Sequence, residues 1–291
     1  MPEDDVSPDP VLLVGAVTWD VVDGERRPGG AVTYAARAAT ALGVRAYVLA
    51  AADADADLEA FAAHELAVVR LEPTMTLEHR FEYGERRQRV AARPDRPLWP
   101  GDLPEGWPSS FRTVVLGPLL PDDIDVAGFL EAFPARETAL LAQGLQRRVA
   151  SDGTIEQQAY PTAATRDAVR PGVTLCFSAE ETAGWPAIEL DRFVARSKRV
   201  VRTLGADGAD IRTIAGTRHV PALEASVVDT TGAGDVFATA LILAVRAGED
   251  VAGRLAAACA AACVERPGSA PLPARTELET RAGLTPSTGD R

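Results

Sequence analysis

The segment Val227-Val228-Asp229-Thr230-Thr231-Gly232-Ala233-Gly234-Asp235 runs straight into a long apolar stretch, Val236 to Ala247, that reads as a helix. Two glycines around an alanine let the backbone turn tightly and leave bare amide N–H groups exposed. At the start of a helix those amides have no intrahelical partner, and the helix dipole favours an anion there. Asp235 falls in the first turn, at the mouth of that anion site. A carboxylate beside a phosphate is a poor ligand for it. It is a suitable base for a hydroxyl about to attack it. The plainer account is an acid-capped helix after a Gly-rich turn; the preceding Asp229-Thr230 and the long helix weigh toward chemistry.

Other chemistries fail on residue supply. Lys198 is the only lysine, and it follows Ser197, so a GxxxxGK[ST] phosphate loop is excluded. His64-Glu65 opens like a zinc-protease helix, but Val68 stands where the second histidine ligand belongs. There is no GxSxG nucleophile turn and no complete GxGxxG. Cys176, Cys259 and Cys263 are too few for a disulfide framework or a structural zinc site, and the last two read as small buried helix residues. A net charge of −12 argues against a general nucleic-acid binder. The acidic, Pro-bearing Met1 to Pro10 does not read as a secretion signal, and no apolar run reaches membrane length. The expectation is therefore a cytoplasmic protein with neither nucleic acid nor membrane as partner.

A set of short apolar runs must carry these groups. Val11 to Val17, Arg45 to Ala51, Thr113 to Leu116, Thr138 to Leu141, Val173 to Phe177 and Val200 to Leu204 read as buried strands. Ala31 to Leu42, Ile124 to Phe133, Ile188 to Ser197, Val236 to Ala247 and Val251 to Val264 read as helices, with Gly43 and Gly248 as breaks. Strands alternating with helices predict an α/β fold on a mostly parallel sheet flanked by helices. His64 to Arg93 differs. It is rich in β-formers, including Phe81 and Tyr83, has Gly84 at a hairpin turn, and is locally basic through Arg80, Arg86, Arg87, Arg89 and Arg93. It is either a solvated sheet face or a β-flap beside an anionic substrate. After Pro271 the composition turns polar, as in a loose tail.

Asp229-Thr-Thr-Gly-Ala-Gly-Asp235 resembles the signature of the ribokinase-like (PfkB) carbohydrate kinase family. Weaker similarities follow in the family's order. Val14-Gly15 through Asp20 is similar to its first strand with a substrate aspartate. Gly29-Gly30 is similar to its sugar-binding motif. Thr203-Leu204-Gly205-Ala206-Asp207-Gly208 is similar to its nucleotide-contacting turn, and Gly268 lies where the family's chain passes the adenine. The resemblance implies a kinase domain over residues 1–275, with a β-sheet lid near 17–30 and 65–93 and a loosely ordered tail over 276–291.

It also implies roles. Asp235 is the base, and Gly232, Ala233 and Gly234 form the anion hole. Asp20, Gly29, Gly30, Tyr34 and Gln143 contact the acceptor. Thr203, Gly205, Gly208, Ser178, Glu181 and Gly268 contact ATP and its magnesium. Asp229 and Thr231 match a monovalent cation site, with potassium the candidate ion. For Asp20, Thr203 and Gly205 an ordinary strand end or turn is the competing account. Three positions depart from the family: Tyr34 replaces an asparagine after the glycine pair, Ser178 replaces the asparagine of Asn-x-x-Glu, and Leu140-Leu141-Ala142-Gln143-Gly144 lacks an aspartate. The aromatic and the glutamine resemble the inositol kinase branch. The expected function is ATP-dependent phosphorylation of a sugar or cyclitol hydroxyl. The alternatives are a nucleoside kinase with Tyr34, Phe81 or Tyr83 as a wall for the base, and a ligand sensor with weakened transfer. An exposed lid edge could pair two copies or close over the site.

Overall fold

Val-Leu-Leu-Val-Gly-Ala, β1 (Val11–Ala16), is buried along its whole length, the mark of a strand covered on both faces. The computed structural model describes residues 10–82, 85–108, 110–134 and 137–285. After β1 the chain leaves the main sheet through the hairpin β2 (Thr18–Val22) and β3 (Glu25–Gly29). It then enters α1 (Ala31–Ala41), with Gly30 as its first flanking residue. β4 (Ala46–Ala52) returns parallel to β1, and β5 (Glu65–Arg70) pairs parallel with β4. β6 (Met75–Glu82) and β7 (Glu85–Ala92) form an antiparallel pair. β8 (Thr113–Gly117), α2 (Val126–Ala132) and β9 (Glu137–Leu141) follow. Next come the small hairpin β10 (Arg147–Val149) and β11 (Ile155–Gln157), and α3 (Ala163–Asp167). The carboxy-terminal half is β12 (Val173–Ser178), α4 (Ala187–Arg196), β13 (Arg199–Thr203), β14 (Ala209–Thr213) and β15 (Gly216–Val220), then α5 (Ala233–Ala244), α6 (Glu249–Val264) and α7 (Arg275–Arg281).

The main sheet has nine strands in the order β15-β14-β13-β12-β9-β8-β1-β4-β5. Every pairing from β5 across to β13 is parallel, and β14 and β15 add an antiparallel edge. α1 and α5 pack against one another and on the sheet, α6 packs on α5, and α7 on α6. α5 is apolar around most of its circumference because it is covered on several sides. A separate four-stranded sheet, β3-β2-β6-β7, stands off the main one. The fold is therefore α/β, a mostly parallel sheet flanked by helices with a small second sheet.

Two expected boundaries move. Residues 65–70 belong to the edge of the main sheet, because their backbone completes the ladder of β4, so the small sheet comprises strands within 18–29 and 75–92. The expected tail beginning at residue 276 contains most of α7, whose Leu278 is 1% exposed: one apolar residue facing α6 is enough to dock that turn. Residues 286–291 of that segment, and the Tyr83-Gly84 turn, lie outside the described residues. All three cysteines are buried thiols.

Candidate active site

Parallel strands end on one edge of the sheet, and ligands of open α/β sheets bind outside those carboxyl ends. Asp20 sits just past β1, Gln143 just past β9, Ser178 ends β12, and Thr203 ends β13. α5 brings Asp235 to the same edge.

The anion turn has the conformation its sequence demands. Gly232 precedes α5 in the left-handed region, φ 76°, which a residue with a Cβ adopts only with strain. Gly234 is exposed, and a Cβ placed on it would meet only the Thr203 hydroxyl, at 3.8 Å. Thr203 is thus beside the turn, at the end of β13. Asp229 braces the turn from behind: its carboxylate accepts the Thr231 N–H at 2.9 Å and the Gly268 N–H at 3.0 Å. The candidate cation residues are therefore also a clasp between the anion turn and the loop after α6. Among the described residues no group of three or more His, Cys, Asp or Glu could hold a metal ion by itself.

Asp235 is half-buried, and its carboxyl is pushed up to about 7, first by burial, then by Glu181 and Asp20, with Arg147 opposing. Its neighbour Glu181 is 8% exposed. Burial raises that carboxyl too, offset by the Ser178 N–H, Arg147 and the Gln143 side chain. Ser178 and Glu181 close a reciprocal pair: the Ser178 N–H donates to Glu181 Oε2 at 2.9 Å, and the Glu181 N–H donates to Ser178 Oγ at 3.1 Å. Serine thus supplies the acceptor that an asparagine would supply there. Gln143 lies in a 3-10 turn, Ala142–Gln146, rather than in an extended segment, and its side chain reaches Glu181. The backbone turns there because Gly144 packs against the Pro118 carbonyl, where any Cβ would collide at 2.5 Å.

Among the expected acceptor contacts, Asp20 Oδ1 accepts the Thr18 hydroxyl at 2.9 Å. A Cβ on Gly29 would lie 2.4 Å from Asp20 Oδ2, so the carboxylate rests directly on the glycine backbone. Gly30, at φ 98°, turns the chain into α1. Tyr34, on α1, is 3% exposed, and burial first, then Asp20, Cys263, Asp229 and Asp235 push its phenol far up. It therefore stands between the Asp20 side and the Asp235 side. Of the expected nucleotide contacts, Gly205 and Gly268, both at positive φ, have open space where a Cβ would point, and Gly208 closes the turn after β13.

Three side chains at the site carry no sequence motif: Arg147, 6% exposed, and His79 and Gln88 of the small sheet. His79 Nε2 lies 3.6 Å from Asp20 Oδ1, and Arg147 reaches Gln88. The alternation of β6 is the one local signal, since it directs His79 and Leu77 to the same side.

Residues 186–276 match the profile of the pfkB family carbohydrate kinase. A pyrophosphate-dependent kinase in the ribokinase family, in complex with sulfate, superposes with a TM-score of 0.74 at 17% identity, over 94% of this chain and 99% of that one. Arabidopsis thaliana ribokinase complexed with ribose and ATP gives 0.66 at 16% identity, over 96% and 100%. Burkholderia thailandensis nucleoside kinase in complex with inosine gives 0.67 at 19% identity, over 95% and 98%. The matched segment contains the glycine turn and α5, and the likeness in fold to the ribokinase-family structures extends over nearly the whole chain.

Proposed function

We propose that the protein is an ATP-dependent kinase that phosphorylates a hydroxyl of a sugar or cyclitol. The position of Asp235 carries this reading: first turn of α5, behind a left-handed glycine, with its carboxyl raised to about 7. A base poised near neutral pH is matched to removing a hydroxyl proton. As the acceptor oxygen bonds to the γ-phosphorus, the bond to the bridging oxygen breaks and ADP leaves; Asp235 takes the hydroxyl proton, and the amides of Gly232, Ala233 and Gly234 stabilise the charge on the transferring phosphoryl. Asp20, with Gly29 and Gly30 behind it, accepts hydrogen bonds from other acceptor hydroxyls.

The acceptor is neutral on this account. Asp20, Glu181 and Asp235 face the site against the single guanidinium of Arg147, a balance that repels a second anion on the acceptor. Glu181 would hold, through water, a magnesium ion arriving with ATP, and that ion would supply charge neutralisation of the donor phosphates. Thr203, Gly205, Gly208, Ser178 and Gly268 line the donor side, and Asp229 with Thr231 is the proposed potassium site.

A cyclitol is favoured over a nucleoside because Tyr34 is 3% exposed, with its ring packed against Gly232, which leaves little of it to stack on a base. The side chain of Phe81, like Tyr83, is not among those described. Three solved structures of this fold are described as pyrophosphate-dependent kinases, one of them complexed with a pyrophosphate analog and myo-inositol, so the donor is tested alongside the acceptor. The experiment is acceptor-dependent phosphoryl transfer from ATP and from pyrophosphate across sugars, cyclitols and nucleosides. Turnover with ATP and a neutral polyol supports the reading. Transfer from pyrophosphate alone overturns the donor assignment, and binding without transfer from either donor overturns the kinase reading.

A further inference from the structure

Arg147 stands outside the small sheet, at the start of β10, and reaches into it. Its Nη1 donates to the Leu119 carbonyl at 3.0 Å and its Nη2 to Gln88 Oε1 at 3.0 Å. A guanidinium only donates, so the Gln88 amide must present its oxygen to Arg147 and its NH2 group to the other side. On that other side Gln88 Nε2 lies 3.4 Å from His79 Nδ1. An amide nitrogen also only donates. His79 Nδ1 must then accept, which leaves the ring N–H on Nε2. That nitrogen is 3.6 Å from Asp20 Oδ1, just outside hydrogen-bond reach, in a ring that is 5% exposed. The opposite tautomer would aim a lone pair at the carboxylate and repel it.

We infer that Arg147 and Gln88 set the tautomer of His79, and that His79, through its Nε2–H, is the positioning residue for the Asp20 carboxylate. The functional half of this inference rests on the reading of Asp20 as the acceptor-binding group. Asp20, His79 and Gln88 come from three strands of the small sheet and Arg147 from the body of the protein. The relay therefore ties the orientation of an acceptor ligand to the seating of that sheet. The Thr18 hydroxyl on the same oxygen leaves Asp20 Oδ2, the atom against Gly29, to turn toward an acceptor hydroxyl.

The test is a long-range 15N–1H correlation spectrum of histidine-labelled protein. The His79 signals are those missing in His79→Gln, or those remaining after His64→Gln and His219→Gln. In the wild type the proton belongs on Nε2. Gln88→Glu offers only acceptors and should move the proton to Nδ1, whereas Gln88→Leu should release the preference. A wild-type ring protonated at Nδ1, or one unchanged by Gln88→Glu, overturns the inference; if Gln88→Glu fails to fold, the wild-type spectrum decides. In turnover, Gln88→Leu should raise the acceptor KM about tenfold, the scale of one lost hydrogen bond, with kcat within about threefold. An unchanged KM overturns the positioning role. The spectrum needs no turnover, so it stands or falls separately from the kinase reading.

Discussion

The ring of Tyr34 lies against Gly232: a Cβ built on that glycine would fall 2.2–2.3 Å from three of its ring atoms. α1 thus delivers an aromatic wall to the turn that begins α5, and glycine is required at 232 both by its backbone angle and by this contact. Gly234, two residues on, is exposed and would bring a Cβ only to the Thr203 hydroxyl, at 3.8 Å.

The two glycines should consequently fail in different ways. Gly232→Ala should lower stability by about 1–3 kcal/mol, through left-handed strain and displacement of Tyr34. Gly234→Val should fold with near wild-type stability and lose about two to three orders of magnitude in turnover, because its side chain occupies the anion space. Denaturant unfolding alongside turnover separates them; a Gly234→Val protein with ordinary rate would remove the anion-hole assignment.

Asp235→Asn keeps shape while removing the proposed base. Unfolding should change little, ATP binding should persist, and turnover should fall by about two to four orders of magnitude. Isothermal titration and steady-state rates check both halves. Near wild-type turnover would end the base assignment.

The pH profile follows from the same carboxyl. As the proposed base, Asp235 would act only when deprotonated, so kcat/KM should decline as pH falls through about 7. Glu181 raises that carboxyl, so Glu181→Gln should move the acid limb to lower pH. A limb left in place, or shifted upward, would show that another group governs it.

Asp123 makes a separate stability prediction. Its Oδ2 accepts the Leu119 N–H at 2.8 Å, yet burial pushes its carboxyl up to about 7, with Asp122 adding to the rise. The folded state therefore holds a proton that the unfolded chain releases near pH 4. This contribution is fully present below about pH 4, declines as pH rises toward 7 and is gone above it. Asp235 contributes with the same sign. Urea midpoints measured across this range should fall with rising pH, and Asp123→Asn should flatten part of the slope. An unchanged slope in that variant would refute the assignment.

Read as a sequence, the chain already specified β1, β4, β8, β9, β12 and β13, helices α1, α4, α5 and α6, and the glycine turn before Asp235. Each of these is decided within a few residues, by apolar period, by glycine at a positive φ, or by unpaired amides at a helix start. The β14–β15 hairpin and α7 escaped because their sequences mix polar and apolar residues without a clear period, and contacts with β13 and α6 help to hold them. Residues 65–70 read as part of the small sheet for a similar reason: a strand's composition says that it pairs, not with which neighbour. The same limit applies at the site. Nothing local connects Arg147 to Gln88, 59 positions away, or Tyr34 to Gly232. Those contacts exist because sheet order and helix packing bring distant segments to one edge, and with them come the burial and neighbouring charges that raise Asp235.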